Sequence, residues 1–227
     1  MGGLWIDGLV NFQNVLRWAG RRHAEVLWQF RDGRATTLNW LEAAAVMLGL
    51  INVCLIIGKS ALNFPFGIAM VAIYFGIFFE ARLYSEALLQ IFFVVVQIYG
   101  WTKWHSVIVD QGQLAVAWSD PPVIATSLAA TVLFAAILGT IMAHLTNAVA
   151  PYIDATVTAG SVVAQLLLSF RRIESWLYWI AVDVLSIALY LTRGLTMTAG
   201  LYGLFLVLAV AGLLAWRRQP GAQAAVA

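Results

Sequence analysis

Seven runs of predominantly apolar residues divide the chain, at about 38–58, 64–81, 84–104, 121–145, 152–170, 174–192 and 195–216. Rising about 1.5 Å per residue as helix, each is long enough to cross roughly 30 Å of hydrocarbon. Few folds are open to such a chain, because in lipid each backbone N–H and C=O must be satisfied within its own helix or a closed barrel. Breakers mark the ends of the runs: Lys59-Ser60 before Asn63-Phe64-Pro65, then Pro121-Pro122, Pro151 and Arg193-Gly194. Of 227 residues 62% are hydrophobic and 11% charged, whereas a soluble domain carries about 25% charged residues. The charges avoid the middles of the runs, as the cost of an ion in hydrocarbon requires. These features predict an all-α integral membrane protein with seven transmembrane helices.

The remaining segments are short, apart from two. Residues 105–120 read as a polar loop carrying Asp110 and Asp120. In the N-terminal stretch, Leu9, Phe12, Leu16, Ala19, Val26 and Phe30 recur at about helical spacing, while Arg17, Arg21, Arg22 and Glu25 mostly fall elsewhere. That pattern predicts an amphipathic helix lying in the headgroup layer. Asp7 and the arginines also break the apolar core that a cleaved signal needs. A lone cysteine, Cys54, inside an apolar run rules out an internal disulfide and suggests no thiol metal site. The net charge of +2 implies no nucleic-acid partner. No metal, cofactor or catalytic group is expected.

The second half of the chain repeats the plan of the first. A shift of about 111 positions sets Asn63 on Glu174, Phe79 on Tyr190 and Arg82 on Arg193; with a few inserted residues Trp101 falls on Trp216. The expected organisation is an interfacial segment at 1–36, a three-helix repeat at 37–104, a loop and linker helix at 105–150, a second three-helix repeat at 151–218 and a tail at 219–227. With three helices in each copy and one between, the copies enter the membrane in the same orientation. This parallel-repeat plan is typical of transporters whose halves rock about a midplane site. Lys59, Lys103, Arg171, Arg172, Arg217 and Arg218 gather at one set of span ends, against Arg82 and Arg193 at the other. By the positive-inside rule this places the C-terminus in the cytoplasm; the five arginines before residue 35 pull the other way.

Polar residues inside the spans point to function, since each is costly unless it meets a partner or a cavity. In the sixth span Trp176, Trp179, Asp183, Ser186 and Tyr190 stand at spacings of three, four, three and four, which is one stripe of a helix. Two indoles and a carboxylate suit a flat cationic or hydrogen-bonding aromatic ligand. In the third span Gln90, Gln97 and Trp101 line a second face, whose amides can read a carboxamide or ribose hydroxyls. Interfacial anchoring is the plainer account of Trp176, and interhelical bonding that of each glutamine. Asn52 and Gln165 read as structural pins.

Several segments resemble the PnuC family of nicotinamide riboside transporters. In the first half these are Phe64-Pro65-Phe66-Gly67, Arg82-Leu83-Tyr84, Ala87-Leu88-Leu89-Gln90-Ile91-Phe92-Phe93 and Tyr99-Gly100-Trp101-Thr102-Lys103-Trp104. In the second half Glu174-Ser175-Trp176-Leu177-Tyr178-Trp179, then Val182-Asp183-Val184-Leu185-Ser186, is similar to the family's tryptophan-rich sixth helix. The resemblance implies a three-plus-one-plus-three helical fold akin to SWEET sugar carriers, in a bacterial inner membrane. It also implies uptake of nicotinamide riboside by facilitated diffusion, trapped by a cytoplasmic riboside kinase, and leaves room for a homo-oligomer. Some members carry an amide where this chain has Asp183, which favours a hydrogen-bonding over a charge-pairing role there.

Other classes fit less well. A retinal protein needs a mid-span lysine in its last helix, and 195–216 has none. His23, His105 and His144 are scattered, with no His-Glu-x-x-His or phosphate-binding Gly-x-x-x-x-Gly-Lys pattern. Carriers of thiamine, riboflavin or sugar, and a purely structural membrane subunit, remain the alternatives.

Overall fold

The computed structural model describes residues 34–80, 84–112, 114–145, 150–192 and 196–218. Seven helices fill them: α1 Arg34–Ile57, α2 Asn63–Glu80, α3 Tyr84–Gln111, α4 Pro121–Leu145, α5 Pro151–Ser169, α6 Glu174–Thr192 and α7 Thr196–Arg217. The interfacial helix expected within 1–36 lies outside the described residues except for 34–36, as do Arg82, Arg193 and the tail from 219. The described residues from 46 to 218 form one compact unit; of the other, 1–45, only the helical stretch from 34 is described.

Six of the seven helices are long and apolar enough to cross a membrane. The exception among these is α3, which is the longest at 28 residues but carries Gln90, Gln97, Lys103 and Asp110. It also corrects the expected polar loop. No glycine or proline stands between Trp104 and Gly112, so α3 runs on to Gln111, and the chain turns at Gly112 with φ of 72°. Residues 114–119 then run inward, with Leu114, Val116 and Ser119 buried.

That segment is strapped to the corner between α5 and α6. Ala117 N–H donates to the Arg171 carbonyl (3.3 Å) and its own carbonyl accepts from Ile173 N–H (3.1 Å). The Arg172 guanidinium donates to the Trp118 carbonyl at 3.1 Å, and buried Glu174 accepts from Ser119 N–H at 2.5 Å and from its hydroxyl at 3.4 Å. Glu174→Ala strands a buried N–H, so a loss of about 1–3 kcal/mol is expected. It should show as a lower melting temperature and faster protease cleavage within 112–120; unchanged melting and cleavage would show that the strap is held by its apolar contacts alone.

Beneath the strap lies a layer of four aromatic rings. Phe64 meets Trp104 edge-on with centroids 5.2 Å apart, Trp176 meets Trp216 edge-on at 5.4 Å, and the indoles of Trp104 and Trp216 are 6.0 Å apart. Trp104 Nε1 donates to the Leu168 carbonyl, and Trp216 Nε1 to the Ile56 carbonyl, each at 3.3 Å. These bonds cross between the halves and are related by one offset of 112 residues, 104 to 216 and 56 to 168. The same offset relates Phe64 to Trp176 and Gly100 to Gly212, the glycines against which those rings pack. It also relates the helix ends: α1 and α5 each stop with a left-handed residue, Lys59 (φ 57°) and Arg171 (φ 60°). Ser60 N–H reaches back to the Leu55 carbonyl and Arg172 N–H to that of Leu167, each at 2.9 Å, which is the Schellman closure. The structural register is thus 112 rather than about 111. It matches Trp216 with Trp104, not Trp101, and Asn63 with Ser175, not Glu174.

Candidate functional site

The stripe predicted on α6 forms, and most of it is buried. Trp176, Asp183 and Ser186 are 2%, 5% and 1% exposed, while Trp179 and Tyr190 are half-buried. Trp176 is therefore not an interfacial anchor: its ring belongs to the four-ring layer, and Trp179 packs beside that layer. The hydroxyl end of the stripe is tied to α7, where Tyr202 bonds Tyr190 and lies within electrostatic reach of Asp183 and of Tyr74 on α2. The Tyr190 and Tyr202 rings are 5.2 Å apart.

On α3 the glutamines also turn inward, Gln90 and Gln97 being 9% and 5% exposed. Gly67 of α2 makes room for the second: a methyl there would fall on Gln97 Oε1 and stand 3.3 Å from Asn52 Oδ1. Asn52, Gly67 and Gln97 thus converge from three helices. Trp101 stands apart. It is more than a third exposed and lines a lateral cavity with Lys59 and His105; the fully buried indole of this helix is Trp104.

Gln97 lies seven residues before Trp104 and Asp183 seven after Trp176, so both stand about two helical turns, roughly 10 Å, inward of the ring layer. They also occupy the middles of α3 and α6. Contacts between the halves recur at this depth, where a methyl at Gly49 of α1 would meet both Met70 of α2 and Phe205 of α7. The interior is thus polar at its centre and closed at one end by aromatic rings.

Its polar atoms are not all used up by the protein. Asn52 Oδ1 and Ser186 Oγ are buried with no hydrogen-bond partner, as are Ser175 Oγ and Trp176 Nε1 at the level of the ring layer. Each such group costs about 1–3 kcal/mol, and native structures keep few of them away from functional sites. Asp183 likewise has no cationic side chain among the described residues to offset its charge. Sequence periodicity found the α6 stripe and the glutamines. It read Asn52 as a structural pin, because its neighbours Gly67 and Gln97 come from other helices and leave no mark on its own.

A multi-helix membrane protein with a polar, ring-capped interior built from both halves of the chain has the construction of a small-solute transporter. The sequence matches the nicotinamide mononucleotide transporter family over residues 39–218, and the chain belongs to that family. It is 26% identical over 204 residues to the nicotinamide riboside transporter PnuC of Escherichia coli K12, covering 79% of this chain and 85% of the relative. To the PnuC of Neisseria mucosa it is 28% identical over 187 residues, covering 75% and 70%. The riboflavin/roseoflavin transporter RibM of Streptomyces davaonensis is 24% identical over 182 residues, covering 78% and 84%. A crystal structure of the vitamin B3 transporter PnuC superposes with a TM-score of 0.65 at 24% identity, covering 85% of this chain and 87% of that one, which establishes the shared fold.

Proposed function

We propose that this chain carries nicotinamide riboside into the bacterial cytoplasm by facilitated diffusion, through alternating access of two parallel three-helix repeats, 37–104 and 151–218. In this reading α3 crosses the membrane as a seventh span, α4 is the inverting linker and the C-terminus is cytoplasmic. The observation that carries the proposal is the set of buried polar side chains at mid-helix depth, Asn52 Oδ1 and Ser186 Oγ among them without a hydrogen-bond partner, beside an indole stripe. The constant 112-residue offset of the crosswise tryptophan bonds supports the repeat plan. The names of the PnuC relatives support the substrate.

Each part of a riboside has a counterpart among these residues. Trp179 offers an indole face to the pyridinium ring, and Trp176, at the edge of the ring layer, an N–H to an acceptor such as the carboxamide oxygen. Gln97, Gln90 and Asn52 match a carboxamide or ribose hydroxyls in donors and acceptors. Asp183, Ser186 and Tyr190 hold the ribose side. Trp101 lies outside this set. A cytoplasmic riboside kinase that phosphorylates the product prevents its return and makes downhill entry productive. The RibM relative gives a second reading, riboflavin, whose neutral ring system has no positive charge for Asp183 to attract.

Uptake of labelled riboside into proteoliposomes tests the proposal. With the membrane potential clamped at zero, counts should rise to equilibrium with the outside and no further, whether or not a pH gradient is imposed; accumulation driven by the pH gradient, or no entry at all, would overturn it. The Asp183 variants separate hydrogen bonding from charge. Asp183→Asn should keep uptake within about fivefold, a change near 1 kcal/mol, whereas Asp183→Lys should abolish it by placing a cation against a cation. A loss in Asp183→Asn as large as in Asp183→Lys would restore the charge-pairing account.

A further inference from the structure

One cavity lies away from the polar interior. Its volume is about 610 Å³, and it opens between the turn 58–62 and the face of α3 that carries Trp101, His105 and Ile108. Lys59 and Ser60 form its other wall. The left-handed Lys59 backbone is pinned by its own N–H bond to the Ile56 carbonyl at 2.9 Å and by the Ser60 bond to Leu55, so the lysine leaves a rigid turn. The ammonium is partly buried, and burial holds its pKa below the ordinary lysine value. No described lining residue is acidic.

A partly desolvated cation with a histidine and a hydroxyl beside it suits an oxyanion. The setting narrows the choice. The cavity sits where α1 ends and α2 begins, at the level at which apolar helices leave hydrocarbon, and its walls are half apolar. Leu62 is 61% exposed and Trp101 38%, and an indole at this level is at home among lipid headgroups. A free phosphate has no use for these two residues, whereas a phosphate ester bearing acyl chains does. The same end of the helices gathers Lys103, Arg171, Arg172, Arg217 and Arg218, as expected of a face opposite an anionic leaflet.

We propose that this cavity binds the phosphate headgroup of an acidic phospholipid, with the Lys59 ammonium as its cationic partner, His105 as a ring N–H donor, and Leu62 and Trp101 flanking the glycerol. A lipid seated there braces the α1–α2 turn. That turn comes directly after the Ile56 carbonyl on which Trp216 is bonded, so the lipid acts on the closed end of the interior without touching the substrate.

The purified full chain, incubated with equal amounts of phosphatidylglycerol and phosphatidylcholine and examined by native mass spectrometry, tests this. Phosphatidylglycerol should be retained preferentially, and Lys59→Gln and His105→Gln should each cut that retention at least threefold. Lys103→Gln is the control, because its ammonium lies over the Tyr99 ring at 5.5 Å and outside the cavity; it should change nothing. Equal retention of the two lipids, or retention unaltered by Lys59→Gln in a protein with normal melting, overturns the proposal. Displacement of the lipid by glycerol phosphate at the same concentration would assign the cavity to a soluble phosphate ester and overturn it equally.

Discussion

Gly67→Ala is expected to remove riboside binding from a protein that still folds. The added methyl would fall on Gln97 Oε1 and 3.0 Å from Gln97 Cδ. What it meets is the free end of a flexible side chain, so the amide swings away and the helices need not move. Alanine also favours helix over glycine by about 0.8–1 kcal/mol, which offsets the repacking and keeps the melting temperature close to that of the parent. The cost falls on the ligand, because the displaced amide no longer faces the interior beside Asn52. Losing one buried polar contact of this kind is worth about 1.5–3 kcal/mol, roughly a tenfold to hundredfold weaker Kd. Titration calorimetry beside a thermal melt reads both quantities, and parent affinity in Gly67→Ala would detach Gln97 from the site.

Gly212→Ala should do the reverse and strike stability first. Its methyl would land on three atoms of the Trp176 indole, which is 2% exposed and held edge-on to Trp216. A rigid ring inside a ring layer has nowhere to turn, and overpacking of this kind costs about 1–3 kcal/mol. Gly203→Ala on the same helix meets nothing within 4 Å and should be neutral or stabilising by up to about 1 kcal/mol through helix propensity. The two substitutions therefore predict shifts of opposite sign in apparent melting temperature. Similar shifts for both would mean that the ring layer is loosely packed.

Most of the helical plan is readable because lipid sets a length and forbids open backbone. The observed ends of α1, α2, α5 and α7 fall within a few residues of the expected ones, and those of α4 and α6 match. The end of α3 escapes for a specific reason. Its last turns, from His105 to Gln111, are polar, and apolarity shows where a helix leaves the membrane, not where it stops. The 112-residue register escapes because α3 and α7 share little beyond a glycine and a tryptophan four residues later, Gly100 with Trp104 and Gly212 with Trp216. That pair, rather than the best overall shift, is the signal that carries it.

The site is legible to a similar depth. Helical spacing alone puts Trp176, Trp179, Asp183, Ser186 and Tyr190 on one face, and burial of the first, third and fourth results from what that face is packed against. Spacing does not decide between Trp101 and Trp104, which lie within one turn of each other. Only packing against Phe64 and the Leu168 carbonyl selects Trp104 as the inward ring. Asn52 depends on Gly67 and Gln97 being brought together by the fold.

The central claim is that the interior between the two halves recognises nicotinamide riboside. Calorimetric titration of the purified protein with the riboside, beside nicotinamide, nicotinamide mononucleotide, thiamine, riboflavin and glucose, tests it most directly. Saturable heat is expected from the riboside alone, lost in Trp179→Ala and Gln97→Ala while both variants melt as the parent does. Silence with the riboside and binding of riboflavin, or variants that lose melting stability yet keep their affinity, would contradict it.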